Sequence, residues 1–121
     1  MGGIRSKTAT LAVWRYPRTE PLPKTQPELE RVRDLLVERV KARDPKFQLQ
    51  STSLDDRAGA KAIEIVGRQT IAGLPFGVRS THLFTNGSEV VLDAYAPPED
   101  FPRVDKTVFV PVLDTVKVGA P

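Results

Sequence analysis

Two alternating runs, Val78 to Thr85 and Glu89 to Ala96, flank the dipeptide Asn86-Gly87. This arrangement constrains the chain more than any other part of it. Asn-Gly between two hydrophobic alternations is the strongest short-range hairpin signal. The turn it favours needs left-handed backbone that Asn and Gly tolerate. A two-residue loop also sets the register. Thr85 then faces Ser88, His82 faces Val91, Ser80 faces Asp93 and Val78 faces Tyr95. Cross-strand partners share a face and lie about 5 Å apart. Ser80, His82 and Asp93 are therefore expected together on one side. Thr81, Leu83, Val90, Leu92 and Ala94 lie on the other.

The rest of the chain extends this hairpin into a layered domain. Thr8 to Tyr16 alternates and is rich in strand formers, so it reads as a strand ended by Pro17. Pro21 and Pro23 then predict an extended loop. Thr25 and Glu28 form a capping box, and Pro27 sits in the first turn of the helix they start. Leu29, Val32, Leu36 and Val40 give that helix one apolar face, and Asp44-Pro45 stops it. Phe47 to Leu54 predicts a strand, Asp55 to Gly59 a polar turn, and Ala60 to Ile71 a second strand. Gly73 to Gly77 reads as a turn with an apolar tip. After Pro97-Pro98, residues Pro102 to Thr115 predict a helix with Val104, Val108, Val112 and Thr115 on one stripe and Phe109 and Leu113 adjoining it. Pro111 is expected to kink it or end it early. Val116 to Val118 is expected to return to the sheet edge. Successive strands with short connections mean a largely antiparallel sheet flanked by helices, an α+β fold.

At 121 residues the chain suits one domain, 1–121. Residues 1–7 are expected to be disordered or a cloning remnant. No apolar run approaches the roughly 18 residues of a membrane-spanning helix. Met1 to Arg5 lacks the apolar core of a signal peptide. The chain has no cysteine, which excludes disulfides, thiolate metal sites and cysteine nucleophiles while leaving the compartment open. The net charge of +3 is modest and concentrated before the first helix, which suits solubility. Trp14 and Tyr16 interleave with Arg15 and Arg18, as in some nucleic-acid sites. In a strand, however, the two aromatics share one face and Arg15 takes the other, so nucleic acid is not the expected partner.

Catalytic chemistry finds little support. Ser80, His82 and Asp93 are the one serine, histidine and acid set that the register assembles, and His82 is the only histidine. Three residues side by side on a pleated surface form a relay poorly, and no nucleophile elbow or glycine-rich oxyanion loop accompanies them. A polar cross-strand cluster, or the floor of a groove, suits them better. One histidine with scattered acids makes no zinc site. Asp55-Asp56 and Glu99-Asp100 lack calcium-loop spacing and read as solvated turn residues. No phosphate-loop or dinucleotide fingerprint is present, so no cofactor is expected. Leu74 and Phe76 at the apolar tip, and Trp14 and Tyr16 on the first strand, are candidate contact residues.

The order of elements, together with their residues, resembles the Mog1/PsbP-like superfamily. This group comprises oxygen-evolving-complex extrinsic proteins, Ran-binding Mog1 proteins and bacterial lipoproteins of unknown function. Three features carry the resemblance. A strand leads through a proline loop into the helix Pro27 to Ala42. The antiparallel run ends in Glu89-Val90-Val91-Leu92-Asp93-Ala94-Tyr95-Ala96-Pro97. The closing segment is Phe109-Val110-Pro111-Val112-Leu113-Asp114-Thr115-Val116-Lys117. The resemblance implies an α-β-α sandwich, with one or two further strands upstream of this chain. It also implies a non-enzymatic binding or assembly role towards another protein, and an extracytoplasmic home. No residue matches a Ran-binding or photosystem-binding surface, so none is assigned such a role. Two other functions fit the residues: a small-ligand or lipid pocket between sheet and long helix, and a weak hydrolase using Ser80, His82 and Asp93.

Overall fold

The computed structural model describes residues 9–57, 59–85 and 87–116. Strands β1 (Thr10–Pro17), β2 (Gln48–Arg57), β3 (Ala60–Ile71), β4 (Leu74–Thr85) and β5 (Ser88–Ala96) form one sheet. Its order is β1-β5-β4-β3-β2, and every neighbouring pair is antiparallel. The β4–β5 register is the one the two-residue loop demands. Thr85 pairs with Ser88, His82 with Val91, Ser80 with Asp93 and Val78 with Tyr95. Gly87 has a φ of 72°, the left-handed backbone such a loop requires. Asn86 lies outside the described residues. So do Met1 to Thr8, Lys117 and Val118, on which parts of the expectations above fall.

Two turns differ from expectation. The predicted turn at Gly73 to Gly77 is instead the tight pair Ala72-Gly73, with φ of 53° and 81°, closed by Ile71 opposite Leu74. Leu74, Pro75 and Phe76 are strand residues facing Ile71, Thr70 and Gln69. Proline is tolerated there because the β5 ladder reaches only Gly77, so β4 has a neighbour on one side at Pro75. The predicted polar turn at Asp55 to Gly59 also shrinks. Asp55, Asp56 and Arg57 pair with Ala62, Lys61 and Ala60, and Asp56 makes an ion pair with Lys61 at 2.9 Å. Sheet pairing overrides the turn preference of aspartate.

Helix α1 (Gln26–Arg43) begins as predicted. Thr25 Oγ1 accepts from the Glu28 amide at 3.3 Å, and the Glu28 carboxylate accepts from the Thr25 amide at 3.0 Å. At its far end the Asp44 carboxylate accepts the amides of Thr70 (2.6 Å) and Lys46 (3.0 Å), tying the helix end to β3. Those amides hold the Asp44 carboxyl below the usual carboxylate range. α1 lies over β2 and β3, and Leu29 is buried with Ile63, Ile65 and Phe84.

The opposite face is covered by a composite helix: α2 (Phe101–Val104), a π-helical turn (Asp105–Phe109) and α3 (Val110–Asp114). Of the predicted stripe of Val104, Val108, Val112 and Thr115 only Val104 is buried, and the adjoining Phe109 and Leu113 take the inward places. Phe101, Val104, Phe109 and Leu113 are buried, whereas Val108 is 45% and Val112 39% exposed. The π turn is the cause. The Val110 amide bonds to the Asp105 carbonyl, five residues back, so the inward face jumps from 104 to 109. Pro111 has no amide to give and sits just after this wide turn, and the helix continues to Asp114 rather than ending early. Val116 is not in a strand and packs beside Leu83, Leu92 and Leu113.

Candidate functional site

The two helices cover the sheet unequally. Because α1 sits over β2 and β3, the same face of β4, β5 and β1 is left open, and a groove of about 640 Å³ runs between helix and sheet. Its floor comes from alternate residues of three strands, among them Ile65, Val78, Val91, Ser80, His82 and Asp93. One wall is formed by α1 at the half-buried Leu36 and Val40 and the exposed Arg39 and Arg43, with Phe47 at its foot. The other is β1 at Trp14, Tyr16, Pro17 and Arg18. Gly67 also lines the groove, opposite the β-bulge between Leu49 and Ser51. A methyl group there would stand 2.9 Å from Phe47 Cζ and still closer to the Gln48 carbonyl oxygen, so only glycine lets that ring lie against the strand.

A chain of hydrogen bonds crosses the floor. Ser80 Oγ donates to Asp93 Oδ1 at 2.6 Å and lies 3.1 Å from His82 Nε2. His82 Nδ1 lies 2.7 Å from Glu89 Oε2, and Arg18 donates to Glu89 Oε1. Burial alone would push the Glu89 carboxyl up. The hydrogen bonds and charges of His82 and Arg18 outweigh it and bring the pKa down to about 2. The Arg18 guanidinium is correspondingly raised, chiefly by its hydrogen bond to Glu89. Arg18 is further positioned by its own amide, which donates to the Gly87 carbonyl at 2.8 Å.

Sequence reasoning placed Ser80, His82 and Asp93 together, and the structure does so. It also brings Trp14 and Tyr16 to the same groove. It does not bring Leu74 and Phe76. Leu74 is 60% exposed at the Ala72-Gly73 end of the sheet, and Phe76 packs edge-on against Tyr95 with ring centroids 5.5 Å apart. Glu89 and Arg18 were missed. Glu89 precedes Val91, the partner of His82, by two residues and so shares its face; that diagonal was available in the register. Arg18 was not available, because its place depends on β1 pairing with β5.

Two features of this arrangement bear on hydrolysis. Ser80 Oγ donates to Asp93 Oδ1 at 2.6 Å, closer than its 3.1 Å approach to His82 Nε2, so proton transfer to the imidazole would compete with a shorter contact to a carboxylate. Ser80 also sits mid-strand in β4 with ladders on both sides, where backbone amides are committed to neighbours and supply no oxyanion hole. No group of three or more metal-ligating side chains converges among the described residues. Asp55 and Asp56 are exposed residues of β2, and Glu99 and Asp100 precede α2.

The covered face carries a different polar set. Arg79 holds Asp105 in a two-pronged contact at 2.8 and 2.9 Å and reaches Glu64 at 3.2 Å. Glu64 accepts from Thr81 at 3.0 Å and pairs with Arg57 at 3.5 Å, and Arg57 reaches Asp114 at 2.9 Å. These alternating charges pin the composite helix to β2, β3 and β4.

No protein-family model matches this chain, and no curated protein matches it in sequence. Solved structures do match in shape. One is the crystal structure of PA94 from Pseudomonas aeruginosa, a protein of unknown function proposed to be a regulator. It has a TM-score of 0.67 and 14% identity over 93% of this chain and 84% of that one. Another is the solution structure of cyanobacterial PsbP from Synechocystis. It has a TM-score of 0.61 and 16% identity over 90% of this chain and 64% of that one, so this chain spans under two thirds of its length. The fold is α+β and Mog1/PsbP-like, a five-stranded antiparallel sheet with helices on both faces. At these identities the likeness speaks to fold and not to activity.

Proposed function

We propose that this chain is a non-enzymatic binding domain whose site is the groove between α1 and the open half of the sheet, and that the groove takes a small ligand with an apolar body. The groove itself carries this reading. Its volume of about 640 Å³ suits small-molecule sites, which run from roughly 300 to 1,000 Å³. Its lining joins apolar side chains from Ile65, Val78, Val91, Leu36 and Val40 and the rings of Trp14 and Tyr16 to a set of polar and charged groups that can orient a ligand. Trp14 is the only tryptophan in the chain, so its emission reports on the groove directly. Titration with the neutral probe N-phenyl-1-naphthylamine should shift or quench that emission and raise the melting temperature. Unchanged emission together with an unchanged melting temperature would overturn the reading.

A second reading, contact with another protein, is favoured by β1. It is an edge strand with Leu11 39%, Val13 59%, Trp14 43% and Tyr16 47% exposed. Unpaired edges with apolar side chains are templates for a further strand. Val13→Lys should abolish capture of a partner from an envelope extract if this reading is right; capture that survives the change argues against it. The Mog1/PsbP-like resemblance supports an extracytoplasmic location for either role, which fractionation of the native host would check.

A further inference from the structure

Resting on the groove reading above, we infer that the ligand is an anion: an apolar or aromatic body bearing one carboxylate, sulfonate or phosphate-type headgroup, held by Arg39 and Arg43. The two arginines stand one helical turn apart on α1 and line the groove with Leu36 and Val40. Residues four apart on a helix are surface neighbours, so both guanidiniums can reach one headgroup. Each presents a planar fork that matches an oxyanion in two-point contact.

The charges around them leave these two arginines available. Three arginines line the groove, Arg18, Arg39 and Arg43, against two carboxylates, Glu89 and Asp93. Glu89 is taken by Arg18 and His82, and Asp93 by the Ser80 hydroxyl. Neither Arg39 nor Arg43 makes an ion pair with a described residue, whereas Arg57 and Arg79 on the covered face are both matched by acids. The negative end of the α1 dipole accounts for an arginine in the last turn, such as Arg43. It does not account for a second groove-lining arginine a turn earlier, beside Val40. Trp14 and Tyr16 on the facing wall supply an apolar and aromatic surface for the rest of the ligand.

Two probes separate the headgroup from the body. 8-Anilinonaphthalene-1-sulfonate and N-phenyl-1-naphthylamine share one aromatic skeleton and differ by the sulfonate. Followed through Trp14 emission, the parent protein should bind the sulfonate more tightly, with the advantage shrinking as salt is added. The double variant Arg39→Gln/Arg43→Gln should weaken sulfonate binding by about tenfold or more and leave the neutral probe within about twofold. Arg31→Gln/Lys41→Gln removes equal charge from α1 outside this groove and should change neither; circular dichroism of both variants controls for folding. Sulfonate binding that survives Arg39→Gln/Arg43→Gln, or falls equally in the control variant, overturns the anion inference while the neutral probe keeps the groove reading standing. If neither probe moves Trp14, the groove reading falls and this inference with it.

Discussion

Glu89 is the residue through which the groove floor is tied to the fold, and Glu89→Gln tests that tie. The substitution preserves side-chain size and removes the charge that Arg18 and His82 share. A drop from the ordinary 4.5 to about 2 corresponds to roughly 3 kcal/mol in favour of the ionised form. The Arg18 side chain is 36% exposed, so solvent screening reduces this to roughly 1–2 kcal/mol. The sign follows from a depressed carboxyl. Its stabilisation is fully present above the unfolded value near 4.5 and is lost as pH falls towards about 2. Urea unfolding of parent and variant at about pH 7, 5 and 3 should show a gap of roughly 1–2 kcal/mol at the first two values. At the third the gap should be clearly narrower. A gap of the same size at all three would refute the electrostatic origin, because a packing defect does not titrate. No gap at any pH would show that Glu89 lends the fold nothing.

Three other outcomes follow from particular contacts. Gly77→Ala should destabilise by about 1–3 kcal/mol in urea melts, because its methyl would stand 2.8 Å from Phe101 Cδ2 and closer to the root of that ring. Ala72→Asn should raise stability by about 0.5–1 kcal/mol, since Ala72 is held at a φ of 53° that asparagine tolerates better; an unchanged melt would count against strain there. His82→Ala should leave hydrolysis of p-nitrophenyl acetate at the parent's background rate, and a fall specific to the variant would revive the hydrolase reading.

The hairpin was legible because Asn86-Gly87 couples a local conformation to a spacing, and spacing decides which side chains share a face. That is why Ser80, His82 and Asp93 could be assembled from the chain alone. Turns were legible where their chemistry was explicit and hidden where it was not. Ala72 has no turn signature, so the flanking Leu74-Pro75-Phe76 passed for the turn itself. Pro111 announced a disturbance in the closing helix but not its form; a one-residue widening turned Val108 and Val112 of the expected stripe outward and buried the adjoining Phe109 and Leu113. Arg18 and the groove walls were out of reach for a different reason. Both depend on non-local placement: β1 beside β5 in register Pro17 with Ser88, and α1 over β2 and β3 rather than over the middle of the sheet.

The central strand β4 carries polar residues on both faces, and their different fates bear on what each is for. Arg79 and Thr81 point under the composite helix, where each acid meets a base: Asp105 and Glu64 with Arg79, Glu64 and Asp114 with Arg57. Buried charge persists only when matched, and this set is explained by the helix it fastens. Ser80 and His82 point into the groove, where the acids are equally satisfied but a surplus of arginine stands beside half-exposed aromatic rings. Solvation alone can maintain that surplus. It does not explain why both arginines line the groove with Val40 between them while Lys41, likewise exposed, does not. The covered face of β4 therefore carries a matched network that fastens a helix, while its open face looks across to an α1 wall whose two arginines pair with no described acid, and the proposed anion site rests on that difference.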